Sequence, residues 1–195
     1  MTGADCQDAL NFSWERGSFG VFRPRRSPVP DDDGAVLGSG AAGHERRVRF
    51  RRRRRRRRGG HDGAVNADEL RARAHEVART LPGSQLDRPF GPDWDVYKVR
   101  GRIFALLTET TGPQMLTLKT DPEDGAALRR QYADIAPGYH MNKRHWITLT
   151  PGETLDADLV RELVVVSYLL VVEGLARRAR PVDPAAYARA AGLTG

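Results

Sequence analysis

The sequence predicts an α+β domain, with a central antiparallel sheet and helices packed on it, preceded by a disordered basic N-terminal tail. Two observations support this fold class. Residues 66–180 alternate capped amphipathic segments with short strand-forming runs joined by turns, whereas residues 1–63 keep no helical or strand period. The boundaries that we expect are 1–64 for the tail, 65–180 for the domain and 181–195 for a C-terminal extension.

The tail holds the whole basic excess of the chain. Residues 1–65 contain 15 of the 32 lysines and arginines and 8 of the 25 acidic residues, whereas residues 66–195 contain 17 of each. The densest part is the unbroken arginine run Arg51–Arg58. Like charges at this density repel one another and cannot be buried, so we expect disorder and nonspecific polyanion binding. Neutralising ~8 phosphates would give a log–log salt slope of about −7.

A second interpretation of the tail is that it is not part of the native protein. Only three of the 32 basic residues are lysine, a bias typical of a GC-rich gene. Upstream DNA of such a gene, read in frame, yields arginine, glycine, alanine and proline. Val65 stands just before the first well-formed helix, and a GTG codon there could be the true start. We therefore hypothesise that residues 1–64 are an over-extended start or a dispensable tail.

The first predicted element of the domain is a helix that begins after Asn66 and ends at Pro82-Gly83. Asn66 is a good N-cap, and Glu69 stands three residues later, where it completes a capping box. One apolar stripe then follows at helical spacing, formed by Leu70, Ala74, Val77 and Leu81.

Three short strands follow and form an antiparallel meander. Strand-forming residues fill 94–107, and Arg100-Gly101 interrupts them as a turn would. A second turn at 111–113 leads into a third strand, Met115–Lys119.

Two helices and one further strand complete the domain. Asp121 caps a helix that reaches about Ala133, with proline at its first position, and a strand follows at 146–149. Asp156 caps a long buried helix that we expect to reach about Ala179, because its leucines keep helical spacing despite several valines. Residues 181–195 form a short helix or a frayed end.

The segment 137–146 is the richest in functional side chains. Its ten residues include two histidines, two cations, an amide and two large aromatics. Aromatic faces stack on bases while lysine and arginine contact phosphates, so this composition is typical of a nucleic-acid contact. The alternative is a loop entering a strand, with Tyr139 and Trp146 buried and the cations solvated.

The turn at Arg100-Gly101 carries a second basic cluster. Lys98, Arg100 and Arg102 surround it, and Lys119 lies on a neighbouring strand. A two-stranded ribbon with such a tip can lie in a groove or along a backbone. The alternative is an exposed hairpin whose charges only face solvent.

We expect no enzyme activity, no metal and no cofactor. His140 and His145 are five residues apart, which is poor spacing for two ligands on one helix face. Asp93 and Asp95 could form an acid–base pair or simply lead into a strand. The Gly38–Gly43 match to a dinucleotide pattern lacks the strand and helix that the pattern needs.

Several segments together resemble the MmcQ/YjbR family. They are Pro89–Gly91, Val96–Val99, Gly101–Leu106, Leu116–Lys119, the block Pro137–Trp146 and, in the last helix, Ser167–Val171. The resemblance covers about 66–180. It implies a small bacterial domain with a CyaY-like (frataxin-like) fold, which has also been compared to a double-wing DNA-binding fold. Members are generally called DNA-binding proteins.

The function that we predict is therefore DNA binding through the basic hairpin tip and the segment Tyr139–Trp146. The alternative is a small-ligand or protein-binding module in which His140, His145 and Trp146 line a pocket. The single Cys6 indicates a reducing compartment, and no apolar run approaches the ~20 residues of a membrane span, so we expect a cytoplasmic protein. The predicted contact residues are Lys98, Arg100, Arg102, Lys119, Tyr139, His140, Asn142, Lys143, Arg144, His145 and Trp146.

Overall fold

The structure is a computed structural model, and it describes residues 64–110 and 112–193. The expectations for the tail, including polyanion binding by Arg51–Arg58, lie outside these residues. The helices and strands in chain order are α1 (Ala67–Thr80), β1 (Ser84–Asp87), β2 (Trp94–Val99), β3 (Arg102–Thr108), β4 (Met115–Lys119), α2 (Pro122–Gln131), β5 (Ile135–Pro137), β6 (Trp146–Leu149), α3 (Ala157–Glu173), a 3₁₀ turn (Arg177–Ala179) and α4 (Pro184–Ala190).

The six strands form one antiparallel sheet in the order β1-β2-β3-β4-β6-β5. The predicted meander is present as β2, β3 and β4, and β6 is the predicted fourth strand. The α+β fold class is therefore confirmed. The two edge strands, β1 and β5, were not predicted from the sequence. They have four and three residues, and most of their side chains are exposed, so they show no apolar alternation.

The predicted helix starts are confirmed at atomic detail. The Asn66 side chain accepts a hydrogen bond from the Glu69 N–H at 2.9 Å, and the Glu69 carboxylate accepts one from the Asn66 N–H at 3.1 Å. Asp121 caps α2 by accepting from the Glu123 N–H at 2.9 Å. Asp156 caps α3 in the same way, accepting from the Leu159 N–H at 2.7 Å.

The predicted end of α3 was wrong. The helix stops at Glu173 instead of continuing to about Ala179, and the chain turns at Gly174 before the 3₁₀ turn. The physical reason is burial: α3 is buried over most of its surface, whereas Arg177 and Arg178 are exposed and could not continue that buried helix.

The core lies between the sheet and the helices α1 and α3. Phe104 of β3 packs edge-on against Tyr168 of α3, with ring centroids 5.5 Å apart. The extension after α3 joins this core, because Ala188 and Leu193 are buried in it. Within residues 64–110 and 112–193, we find no helix long and apolar enough to cross a bilayer.

Candidate nucleic-acid interface

Antiparallel pairing brings three separate segments to one end of the sheet. The turn between β2 and β3, the last residue of β4 and the loop before β6 all lie there, since Val99 pairs with Arg102 and Lys119 pairs with Trp146. The carboxyl end of α3 lies there too, because Arg102 Nη1 donates to the Gly174 carbonyl at 3.0 Å. We call this region the basic end, defined by Arg100, Arg102, Lys119, Lys143, Arg144 and His145.

The hairpin tip is a tight two-residue turn. Arg100 and Gly101 have φ angles of 50° and 75°, as a type I′ turn requires at both central positions. The Arg100 Nε donates to the Ala179 carbonyl at 3.2 Å, so this arginine also holds the chain after α3. A guanidinium has five N–H donors, so Arg100 and Arg102 keep donors that these contacts do not use.

Lys98 does not join the basic end. Its ammonium forms an ion pair with the Asp87 carboxylate on β1, and the lysine side chain is only 22% exposed. The hydrogen bond from Lys98 is the main cause that lowers the pKa of Asp87. The charge of Lys98 is therefore already neutralised by a neighbouring strand.

Trp146 is part of the protein interior. Its residue is 2% exposed, and the Lys119 ammonium lies over the ring, 5.4 Å from the ring centroid. In this conformation the indole cannot stack on a base, and it offers no open wall for a ligand pocket. The backbone N–H of Lys119 donates to Ser167 Oγ at 2.7 Å, which fixes the base of the lysine side chain.

Lys119 is a half-buried cation close to other positive groups. Burial lowers its pKa below the ordinary value, and the neighbouring Arg102 charge adds to that effect. Burial also lowers the pKa of His145, reinforced by the charges of Lys119 and Arg144 and opposed by Asp121. The backbone of His145 is held in place because its carbonyl accepts the Thr120 N–H at 2.9 Å.

The loop before β6 is shaped by its own polar groups. Asn142 Oδ1 accepts the Arg144 N–H at 2.9 Å, and the Asn142 carbonyl accepts the His145 N–H at 3.0 Å. This turn exposes Lys143 and Arg144 on its outer side. Asn142 thus positions the two cations, while its side-chain amide NH₂ stays chemically available as a donor.

The aromatic residues at the start of this loop differ in exposure. His140 is exposed and adopts a positive φ of 51°, and Tyr139 is partly buried, with its ring centroid 4.0 Å from that of His140. The Tyr139 N–H donates to Thr148 Oγ1 at 2.8 Å, which ties the loop to β6. Tyr139 and His140 therefore form one aromatic pair beside the two exposed cations.

Of the two alternatives for Asp93 and Asp95, the structure favours residues that lead into a strand over an acid–base pair. Asp93 is exposed, whereas Asp95 is 3% exposed and accepts a hydrogen bond from Arg88 Nε at 2.7 Å. The other Asp95 oxygen lies 3.2 Å from His75 Nε2. These contacts occupy the Asp95 carboxylate within the fold.

Two exposed cations that lie beside the basic end were not predicted from the sequence. Arg177 and Arg178 are exposed on the 3₁₀ turn, which the Arg100 contact to Ala179 places beside the hairpin tip. The signal in the sequence was the arginine-rich run 177–180, which the sequence interpretation places at the end of the last long helix.

Comparisons with known proteins agree on one family. The family model described as YjbR matches residues 79–170. The uncharacterized protein YbdF of Escherichia coli O157:H7 is 43% identical over 114 residues, which cover 58% of this chain and 93% of that protein. The uncharacterized protein YjbR of Escherichia coli strain K12 is 34% identical over 90 residues, covering 45% of this chain and 76% of YjbR.

A solved structure supports the same assignment. The crystal structure of Deinococcus radiodurans protein DR2400, with the family-model domain DUF419, matches with a TM-score of 0.52 and 41% sequence identity. The match covers 60% of this chain and 86% of that chain. Together with the sequence relatives, and with the motifs that lie on β2, β3, β4 and β6, this means that the chain belongs to the MmcQ/YjbR family.

Proposed function

We propose that this domain binds DNA through its basic end, with lysine and arginine side chains on the phosphates of the backbone. One observation carries the proposal: Arg102, Lys119 and Arg144 converge on the same end of the sheet with no ion-pair partner among the residues that the structure describes. Like charges held close together repel one another, and a polyanion relieves that repulsion when it binds.

The contrast with the edge formed by α1, β1 and β2 supports this choice of surface. There Arg71 lies 3.1 Å from a Glu109 oxygen, Arg88 pairs with Asp95, and Lys98 pairs with Asp87. Cations already neutralised by carboxylates offer little to a phosphate. The basic end is where positive charge stays free for a ligand.

The contacts divide into two kinds. Lys119, Lys143 and Arg144 bind phosphates and set the orientation of the protein on the duplex. The amide of Asn142 and the ring of His140 lie closest to the bases, where donors and flat rings read or stack. Trp146 acts indirectly, because its buried ring supports the Lys119 side chain.

The test is a double variant of the two exposed loop cations. Replacing both in Lys143→Ala/Arg144→Ala should weaken binding and flatten the log–log salt slope by up to about two, one per lost phosphate contact. Binding is measured by anisotropy of a fluorescent duplex at several salt concentrations. The run Arg51–Arg58 is present in both proteins, so the difference between slopes reports the loop.

A matched control removes two positive charges elsewhere. Arg130 and Arg161 are exposed and lie in the last turn of α2 and the first turns of α3, away from the basic end. The variant Arg130→Ala/Arg161→Ala should keep the parent slope to within a few tenths. An unchanged slope for the loop variant, with its circular dichroism intact, would remove this segment from the interface.

A further inference from the structure

The chain after α3 carries positive charge that the proposed interface does not yet use. Residues 174–182 contain three arginines and no acidic residue. Arg180 has a structural task, since its Nε donates to the Leu175 carbonyl at 3.0 Å and its Nη2 to the Glu173 carbonyl at 2.6 Å. The side chains of Arg177 and Arg178 make no hydrogen bond or ion pair to any other residue in the described ranges, and both are exposed.

The segment that carries these two arginines is fastened to the hairpin tip on both sides. Before them, the Gly174 carbonyl accepts from Arg102 at 3.0 Å, and after them the Ala179 carbonyl accepts from Arg100 at 3.2 Å. Arg177 and Arg178 therefore lie in a segment held beside the basic end at both of its ends, and the 3₁₀ turn presents them on a fixed backbone.

Arginine contacts also offset the partial negative charge at the carboxyl end of α3, which would otherwise disfavour anion binding there. The last carbonyls of a helix carry partial negative charge, which repels phosphate. At the end of α3 the carbonyls of Glu173, Gly174 and Leu175 all accept hydrogen bonds from arginine side chains. The negative end of this helix is thus covered by guanidinium groups.

We propose that Arg177 and Arg178 form a second phosphate-contacting element, so that the DNA backbone lies along both the hairpin tip and the end of α3. This inference rests on the proposed function and deepens it, because it adds a contact element from a different part of the chain.

The first test is residue-resolved protection of arginine side chains. The full chain is treated with phenylglyoxal, with and without a DNA duplex, and modified peptides are quantified by mass spectrometry. We expect the duplex to protect Arg177, Arg178 and Arg144, whereas Arg130 and Arg161 react equally in both samples. Peptides from the tail are quantified separately, and Arg130 and Arg161 report any protection caused only by a duplex that the tail holds nearby.

The outcomes separate the two proposals. Protection of Arg144 without Arg177 and Arg178 overturns the second element and keeps the proposed function. Protection of Arg177 and Arg178 without Arg144 supports the second element and removes the loop from the interface. If none of the three is protected, both proposals fall.

The second test is the variant Arg177→Ala/Arg178→Ala, measured by the same anisotropy assay. We expect the salt slope to flatten by about one for each arginine, as for the loop variant. The control Arg130→Ala/Arg161→Ala loses the same net charge and should keep its slope. If Arg177→Ala/Arg178→Ala has the same salt slope as the control Arg130→Ala/Arg161→Ala, the second phosphate-contacting element is overturned.

Discussion

The buried carboxylate of Asp95 holds three side chains at the edge between α1 and β2. It accepts from Arg88 at 2.7 Å, lies 3.5 Å from an Arg71 nitrogen, and faces His75 Nε2 at 3.2 Å. His75 Nδ1 is 2.6 Å from the Tyr97 hydroxyl. In the neutral ring, Nε2 therefore carries the proton toward Asp95 and Nδ1 accepts from Tyr97. A chain of hydrogen bonds thus links the helix to the sheet.

These hydrogen bonds between Asp95, His75 and Tyr97 predict that the domain loses stability in weak acid. Burial lowers the pKa of His75 below its ordinary value of 6.5; Asp95 opposes this shift, and Arg79, Arg71 and Arg88 reinforce it. The unfolded chain then takes up a proton near the ordinary pKa, before the folded chain does, so the free energy of unfolding falls as pH drops through 6.5. Urea unfolding at several pH values measures this slope.

The variant His75→Gln should flatten the dependence of the unfolding free energy on pH without removing it. The pKa of His145 is also lowered in the folded protein, so His145 still contributes to that dependence in the same direction. The ion-paired Asp87 titrates below its ordinary 3.8, outside this window. A variant that keeps the full parental slope would show that His75 does not titrate as described.

At the scale of elements, one polar residue joins α3 to the sheet. The pairing of β3 with β4 ends at Ala105 and Leu118, so the next residues along the two strands, Phe104 and Lys119, do not pair with each other. Buried backbone groups without a strand partner need another hydrogen-bond partner. Ser167, fully buried in α3, donates to the Phe104 carbonyl and accepts from the Lys119 N–H. The Ser167 hydroxyl of α3 thus supplies the hydrogen bonds that these two backbone groups do not make within the sheet.

Ser167→Ala should therefore destabilise the domain by about 1–3 kcal/mol, since two buried backbone groups lose their partner. Denaturant unfolding gives this free energy. Hydrogen exchange supplies the local readout: the Lys119 amide should lose protection, while the amide of Leu116, a β4 residue paired with both neighbouring strands, should change only with global stability. Unaltered protection at Lys119 would contradict the role assigned to the hydroxyl.

At the scale of the whole molecule, charge is separated although residues 66–195 are net neutral. The β2–β3 turn end carries Arg100, Arg102 and Lys119 without an ion-pair partner among the described residues, whereas at the opposite end of the same strands the carboxylates of Asp95 and Glu109 are paired with Arg88 and Arg71. A neutral domain with such polarity binds a polyanion in one orientation, and its affinity depends on local contacts and salt more than on net charge.

This polarity predicts how the two parts of the chain differ in salt dependence. Residues 65–195 should bind a fluorescent duplex with a slope that reports a few phosphates, whereas the full chain should add up to about −7 from its arginine run. Anisotropy at several salt concentrations measures both slopes. Binding by the full chain alone would assign all DNA affinity to the arginine run and none to the basic end.

Local signals in the sequence were enough to predict much of this fold. The caps at Asn66, Asp121 and Asp156 were predicted correctly because a capping side chain bonds to an N–H only two or three residues away. The turn at Arg100-Gly101 was also predicted, since two strand-forming runs flank it. Strands β1 and β5 were missed because they are short and exposed, and they exist only through pairing with β2 and β6.

The candidate site was predictable in composition but not in arrangement. The sequence by itself determined the caps, the central strands, the charge division and the family. Only the tertiary structure decided that α3 ends at Glu173, that Lys98 is neutralised by Asp87 and that Trp146 is buried. It also placed Arg177 and Arg178 beside the hairpin. The physical reason is separation along the chain: the Arg102–Gly174 contact joins residues 72 positions apart, and no local pattern records such a contact.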